Sequence, residues 1–97
     1  MKLMDYETLM EIAESVNTTK EKLSALSTHQ NDFIRCLVAS NRNTSEETLR
    51  VLSKDTKKYV RGNVAINVYA PSDVLNKLMN DPEEIVRKEA KLTASMT

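Results

Sequence analysis

One period governs this chain: the same residue types return every 26 positions. Leu23, Leu49 and Leu75 stand 26 apart, and Leu26, Leu52 and Leu78 repeat that spacing three residues later. Arg35, Arg61 and Arg87 do the same, each behind an apolar neighbour (Ile34, Val60, Val86). Val38, Val64 and Ala90 follow in register, and Asn41 and Asn67 close the unit. Working backwards, Ile12, Ala13 and Ser15 occupy the places of Val38, Ala39 and Asn41, so the N-terminus is half a unit. A fixed period of about 20–50 residues means supersecondary units that bury their apolar faces only by stacking on one another.

Each unit reads as two short helices. One Gly (Gly62), two Pro (Pro71, Pro82) and few aromatics in 97 residues favour helix over sheet. The first helix has a leucine pair at i, i+3, one stripe's worth of burial. Thr18 with Glu21 and Thr44 with Glu47 have capping-box spacing at its start, and the third copy substitutes Ala70-Pro71, with proline as first helical residue. The second helix is expected to start from an Asp cap, at Asp55 and Asp81, with His29 in that place in the first copy. Its expected buried stripe is Phe33-Ile34-Leu37-Val38, then Tyr59-Val60-Val64, then Ile85-Val86-Ala90. The pattern predicts helices over residues 5–16, 19–28, 31–40, 45–54, 57–66, 72–80 and 83–94. The expected fold is one all-α domain over residues 1–97, a solenoid of about three and a half helical hairpins: a half-repeat 5–16 and repeats 17–42, 43–68 and 69–94. Position 37/63/89 runs Leu, Asn, Glu and position 39/65/91 runs Ala, Ala, Lys, so the last helix sheds apolar surface as a terminal cap would. Glu7, Glu11 and Glu14 on one side of residues 5–16 give the other end the same character.

The string Val60-Arg61-Gly62-Asn63-Val64-Ala65-Ile66-Asn67, then Ala70-Pro71-Ser72-Asp73-Val74-Leu75 with Leu78, Asp81-Pro82 and Val86-Arg87, resembles the variant leucine-rich repeat, a relative of HEAT repeats. The resemblance covers residues from about 9 to 93. It implies a right-handed α-α superhelix, and an Asp six residues before an Arg (Asp55 to Arg61, Asp81 to Arg87) is similar to the ladder of HEAT repeats. Family members of the founding type carry an iron–sulfur cluster on a separate cysteine motif with no counterpart here, so no cofactor is implied. The family is functionally diverse, and its name implies a fold and little else.

Charge narrows the partner classes. Fourteen bases balance fourteen acids, so no global field draws the chain to nucleic acid or membrane. Locally, Arg50, Lys54, Lys57, Lys58 and Arg61 face Asp55 alone, a net +4 over residues 50–61, whereas residues 1–14 set Lys2 against Asp5, Glu7, Glu11 and Glu14. The basic stretch reads either as a solvated turn or as a patch for an acidic protein or a phosphate backbone. Arg35, Arg61 and Arg87 read either as a ladder tying one unit to the next through Asp55 and Asp81 or as guanidiniums lining a groove. His29 and Cys36 form the one nucleophile–base combination, without an orienting third group or an oxyanion site. No Cys or His pair has metal-ligand spacing. Glu46-Glu47 and Glu83-Glu84 sit in first helical turns, where acids complement the helix dipole.

These readings point to a non-enzymatic binding module that docks a protein partner, with Arg50, Lys54, Lys57, Lys58, Arg61, Arg35 and Arg87 as the candidate binding residues. The alternative is nucleic-acid backbone binding through residues 50–61. A lone cysteine, no apolar run of membrane-span length and early acidic residues lead to the expectation of a cytoplasmic monomer with no membrane contact and no metal. The small size fits an accessory or inhibitor protein of the kind that phages and mobile elements encode.

Overall fold

The leucine pairs and the wider apolar stripes alternate along the chain, and helices alternate with them. In the computed structural model, which describes residues 5–97, seven helices follow one another: α1 (Tyr6–Glu14), α2 (Lys20–Leu26), α3 (Asp32–Ser40), α4 (Glu46–Leu52), α5 (Lys58–Ala65), α6 (Ser72–Leu78) and α7 (Glu84–Met96). There is no strand among the described residues. Met1–Met4, including the Lys2 of the N-terminal charge balance, lie outside the described residues. Every expected helix forms, with ends displaced by no more than about two residues, the ordinary fraying uncertainty.

The helices make two layers. The second helices α1, α3, α5 and α7 pack side by side in that order, and the first helices α2, α4 and α6 lie against them. The Cα envelope is elongated, 45 × 23 × 17 Å. The core lies between the layers. Leu23, Leu49, Leu52, Leu75 and Leu78 enter it from one side, and Ile34 with Val38, Val60 with Val64 and Val86 with Ala90 from the other. Helices of seven residues are too short to persist alone, so this burial is what holds α2, α4 and α6.

Side chains bonded to backbone set the spacing of the second helices. Asn41 is buried, and its Nδ2 donates to the carbonyls of Ala13 and Ser15, both at 2.8 Å, at the end of α1. Twenty-six residues on, Asn67 donates to Ala39 (2.9 Å) and Asn41 (3.2 Å) at the end of α3. Each Asn thus gives a donor to one helix-end carbonyl, Ala13 or Ala39, and shares a second, Ser15 or Asn41, with the backbone N–H of Thr18 or Thr44.

Two local expectations are corrected. The capping box does not form: Thr19 and Ser45, one residue later, cap α2 and α4 by accepting from Lys22 N and Thr48 N. Thr18 and Thr44 are buried and turn their hydroxyls back to the carbonyls of Ile12 and Val38, so the next residue takes the cap and Glu21 and Glu47 fall one place short of reciprocity. Pro71 correspondingly sits at the N-cap of α6 rather than at its first helical position. The second correction concerns the stripe. Ile34, Val60 and Val86 are fully buried, but Phe33, Tyr59 and Ile85 beside them are 56%, 66% and 55% exposed.

Candidate functional site

The arginine series forms a ladder, in a register different from the one the sequence implied. Arg35 Nε donates to Asp55 at 2.8 Å and its Nη2 at 3.3 Å, while Nη1 holds the carbonyls of His29 and Gln30. Arg61 repeats this with Asp81 at 2.7 and 3.1 Å, and its Nη1 reaches the carbonyl, not the carboxylate, of Asp55. Each rung therefore joins an arginine to the Asp twenty residues ahead, in the next unit, and the Asp six residues behind offers only its backbone. A planar guanidinium with two carboxylate bonds and at least one carbonyl bond is held in one orientation. With side chains only 14% exposed, Arg35 and Arg61 present little edge to a partner. Asp55 and Asp81 also receive Lys57 N and Glu83 N, ordering the turn before α5 and α7 rather than capping those helices.

Both ends of the ladder differ from its middle. In the first unit His29 stands in for Asp, accepting Asn31 N–H at its Nδ1 (3.0 Å), and Leu9 occupies the arginine register. At the other end Arg87 Nη1 holds the carbonyls of Asp81 and Pro82, but no carboxylate meets its outer edge among the described residues.

The basic stretch is interleaved with acids from further along the chain. Arg50 makes a two-point pair with Asp73 (3.0 and 3.1 Å), Lys58 lies 3.8 Å from Glu83 and 5.4 Å from the centre of its neighbour Tyr59's ring, and Arg61 belongs to Asp81. Lys54 and Lys57 are exposed and carry no ion pair among the described residues. Asp73, Asp81 and Glu83 thus take up three of the five positive charges.

The remaining chemical candidates have structural employment. The imidazole of His29 holds its turn and meets the Tyr6 ring edge-on at 6.0 Å. Cys36 is buried; burial first, then the charges of Asp32 and Asp55, pushes its thiol above the ordinary value, opposite to what a nucleophile needs. No cluster of three or more His, Cys, Asp or Glu able to hold a metal occurs among the described residues.

The largest unclaimed feature is the outer face of the second helices. Residues at i, i+4 and i+7 share one side of a helix. On α3 these are Phe33, Leu37 and Ser40; on α5, Tyr59 and Asn63, with Ile66 just past its end; on α7, Ile85, Glu89 and Leu92; on α1, Glu7, Glu11 and Glu14. Phe33, Tyr59, Ile66, Ile85 and Leu92 are all exposed. Because the four helices pack in sequence, these rows adjoin one another as an apolar strip with an acidic margin on α1. Between α1 and α3 lies a groove of about 430 Å³ lined by Glu7, Met10, Glu11, Glu14, Phe33 and Leu37. Sequence reading assigned Phe33, Tyr59 and Ile85 to the core because each touches a core residue in sequence. The signal for the outside was Glu7, which stands in their register and would not be tolerated in a core.

No family model, curated protein or solved structure matches this chain.

Proposed function

We propose that the chain is a non-enzymatic binding module of the variant leucine-rich, HEAT-like type. In this reading it is a right-handed superhelix of one half-unit and three units that docks a protein partner, as a monomer, on the outer face of its second helices. The recurrence of the Asn and Arg bonds every 26 residues supports the repeat reading. The observation that carries the docking reading is the exposed apolar row Phe33, Tyr59 and Ile85, at one register on three neighbouring helices. Single exposed apolar side chains are ordinary; a contiguous row of them marks an interaction surface. Stacked helical units present such extended faces. Arg35 and Arg61 serve as the scaffold behind this face, and Lys54 and Lys57, exposed and without an ion pair among the described residues, are charges that influence encounter rate.

Photo-crosslinking tests the proposal. A photoreactive phenylalanine is placed at Phe33, Tyr59 or, as controls, Glu47 on α4 and Lys57 beside α5, and the protein is irradiated in lysate of its host. Protein adducts from Phe33 and Tyr59 and not from Glu47 are expected. Adducts from Glu47 alone would place the interface on the first helices, and nucleic-acid adducts from Lys57 would favour the backbone-binding alternative.

A further inference from the structure

We infer that the segment received by this face is a basic amphipathic helix. Its apolar stripe lies over Phe33, Leu37 and Tyr59, and its Lys or Arg side chains reach Glu7, Glu11 and Glu14 of α1. This rests on the docking reading above and adds the chemistry of the occupant.

The charge pattern of the face selects it. Glu7, Glu11 and Glu14 are exposed, share one side of α1, and enter no ion pair among the described residues. Elsewhere Asp55, Asp73, Asp81, Glu46, Glu83 and Glu84 each lie within ion-pair distance of a base, and the acids that do not (Asp5, Glu21, Asp32, Glu47 and Glu89) form no row of three on one helix. Across the whole face, at 7/11/14, 33/37/40, 59/63/66 and 85/89/92, four positions are acidic and none is basic, the fourth acid being Glu89. Lys58 Nζ lies over the Tyr59 ring, but along α1 and the groove beside it an acidic peptide or a phosphate backbone would meet repulsion, whereas a basic segment gains steering and register. The acids also line the same groove as Met10, Phe33 and Leu37, so charge and apolar contact are offered to one ligand.

The shape favours a helix over an extended chain. Neighbouring second helices stand about 8–10 Å apart, and the ridges between them accept side chains spaced i, i+3, i+4 and i+7. Crossing from α1 to α5 covers about 20 Å, which a helix of about 13 residues spans at 1.5 Å per residue.

The test is titration of the ¹⁵N-labelled full chain with three synthetic 18-residue peptides. One has Leu at i, i+3, i+4 and i+7 with Lys elsewhere, the second replaces Lys by Glu, and the third keeps Lys but replaces Leu by Ser. Amide shifts of α1, α3 and α5 with the Leu/Lys peptide are expected, with affinity about tenfold or more above that of either other peptide and falling as salt rises. The variant Glu7→Gln/Glu11→Gln/Glu14→Gln, which alters only exposed side chains, should melt within a few degrees of the wild type and bind the Leu/Lys peptide about tenfold more weakly. Equal affinity for the Leu/Lys and Leu/Glu peptides at the same amides would overturn the basic occupant and leave the docking face standing. Shifts confined to α2, α4 and α6, or none, would overturn both. Undiminished binding by the Gln variant would also overturn the assignment of the acids.

Discussion

The two layers of the molecule use the same alphabet for different ends. In α2, α4 and α6 most apolar residues point inward, and the exposed positions include Glu21, Lys22, Glu46, Glu47, Asp73, Asn76 and Lys77, with Ala25 and Val51 the apolar exceptions. In α3, α5 and α7 apolar residues lie on both sides, Ile34, Val60 and Val86 inside and Phe33, Tyr59 and Ile85 outside. The difference lies in how each layer is held. A seven-residue helix has one stripe and depends on it. Between the first helices the one ion pair among the described residues is the exposed Arg50–Asp73, from α4 to α6. The second helices are tied at their ends by buried Asn41 and Asn67 and joined across units by the mostly buried Arg35 and Arg61. A layer positioned by directional bonds can keep an apolar face outside without that face deciding the fold.

That contrast is open to direct attack. Leu49 is fully buried in the middle of the first-helix layer, and Leu49→Ala should lower stability by about 2–4 kcal/mol, the cost of a large-to-small core change. Tyr59→Ser removes a larger side chain from the outer face and should stay within about 0.5 kcal/mol. Urea melts of the two variants measure both. Comparable losses would mean that the outer row is part of the packing after all.

The next largest effect separates the middle of the ladder from its end. Asp81→Ala leaves Arg61, mostly buried, without its two carboxylate bonds and should cost about 1–3 kcal/mol. Arg87→Ala removes only bonds to two carbonyls and should cost under about 1 kcal/mol. In double-mutant cycles, Asp81→Ala with Arg61→Ala and Asp55→Ala with Arg35→Ala should couple, whereas Asp55→Ala with Arg61→Ala should be close to additive. Coupling in the last cycle and not in the first would return the ladder to the six-residue register.

That last point marks how far the sequence could be read. The 26-residue period yields the number of helices, the inward leucines and the fact of a ladder, because each depends on residue type at a repeating place. The ladder's register was ambiguous because Asp55 lies six residues before Arg61 and twenty after Arg35, and only the stacked backbones decide which carboxylate is in reach. The basic stretch looked free because a window over residues 50–61 cannot contain Asp73, Asp81 and Glu83, which reach it from the following turn and helix. The cap at Thr18 failed for a third reason: a buried hydroxyl has competing acceptors, and the carbonyl of Ile12 won.

Acid weakens the same ladder. Burial alone would raise the Asp81 carboxyl, but the hydrogen bond from Arg61, the Glu83 N–H and the charges of Arg61 and Arg87 outweigh it and hold the group below the ordinary carboxylate value. A carboxylate whose folded pKa is depressed contributes its full stability above the unfolded value, and that contribution is lost as pH falls through the folded one. The melting midpoint should therefore drop between about pH 5 and 2, and the gap between wild type and Asp81→Asn should narrow over the same range. Circular dichroism melts at several pH values follow this; a constant gap down to the acid limit would show that Asp81 acts through shape and not charge.

The smallest expected change has the opposite sign. Gly62 lies inside α5 with an ordinary negative φ, so its backbone makes no demand that only glycine meets. A Cβ built there touches only Val86 Cγ2, at 4.0 Å, an ordinary contact. Gly62→Ala should therefore stabilise the chain by about 0.5–1 kcal/mol, through helix propensity and a less flexible unfolded state. Its register mates Cys36 and Lys88 already show that the position accepts side chains. Gly62 also sits three residues after Tyr59 and four before Ile66, beside the outer apolar row, where a bare Cα lets another backbone come close. Melting and binding of the Leu/Lys peptide, measured on one Gly62→Ala sample, separate these roles. Higher stability with unchanged affinity makes the glycine incidental, whereas higher stability with weaker affinity means that the second-helix layer gives up stability at this point to keep its outer face open.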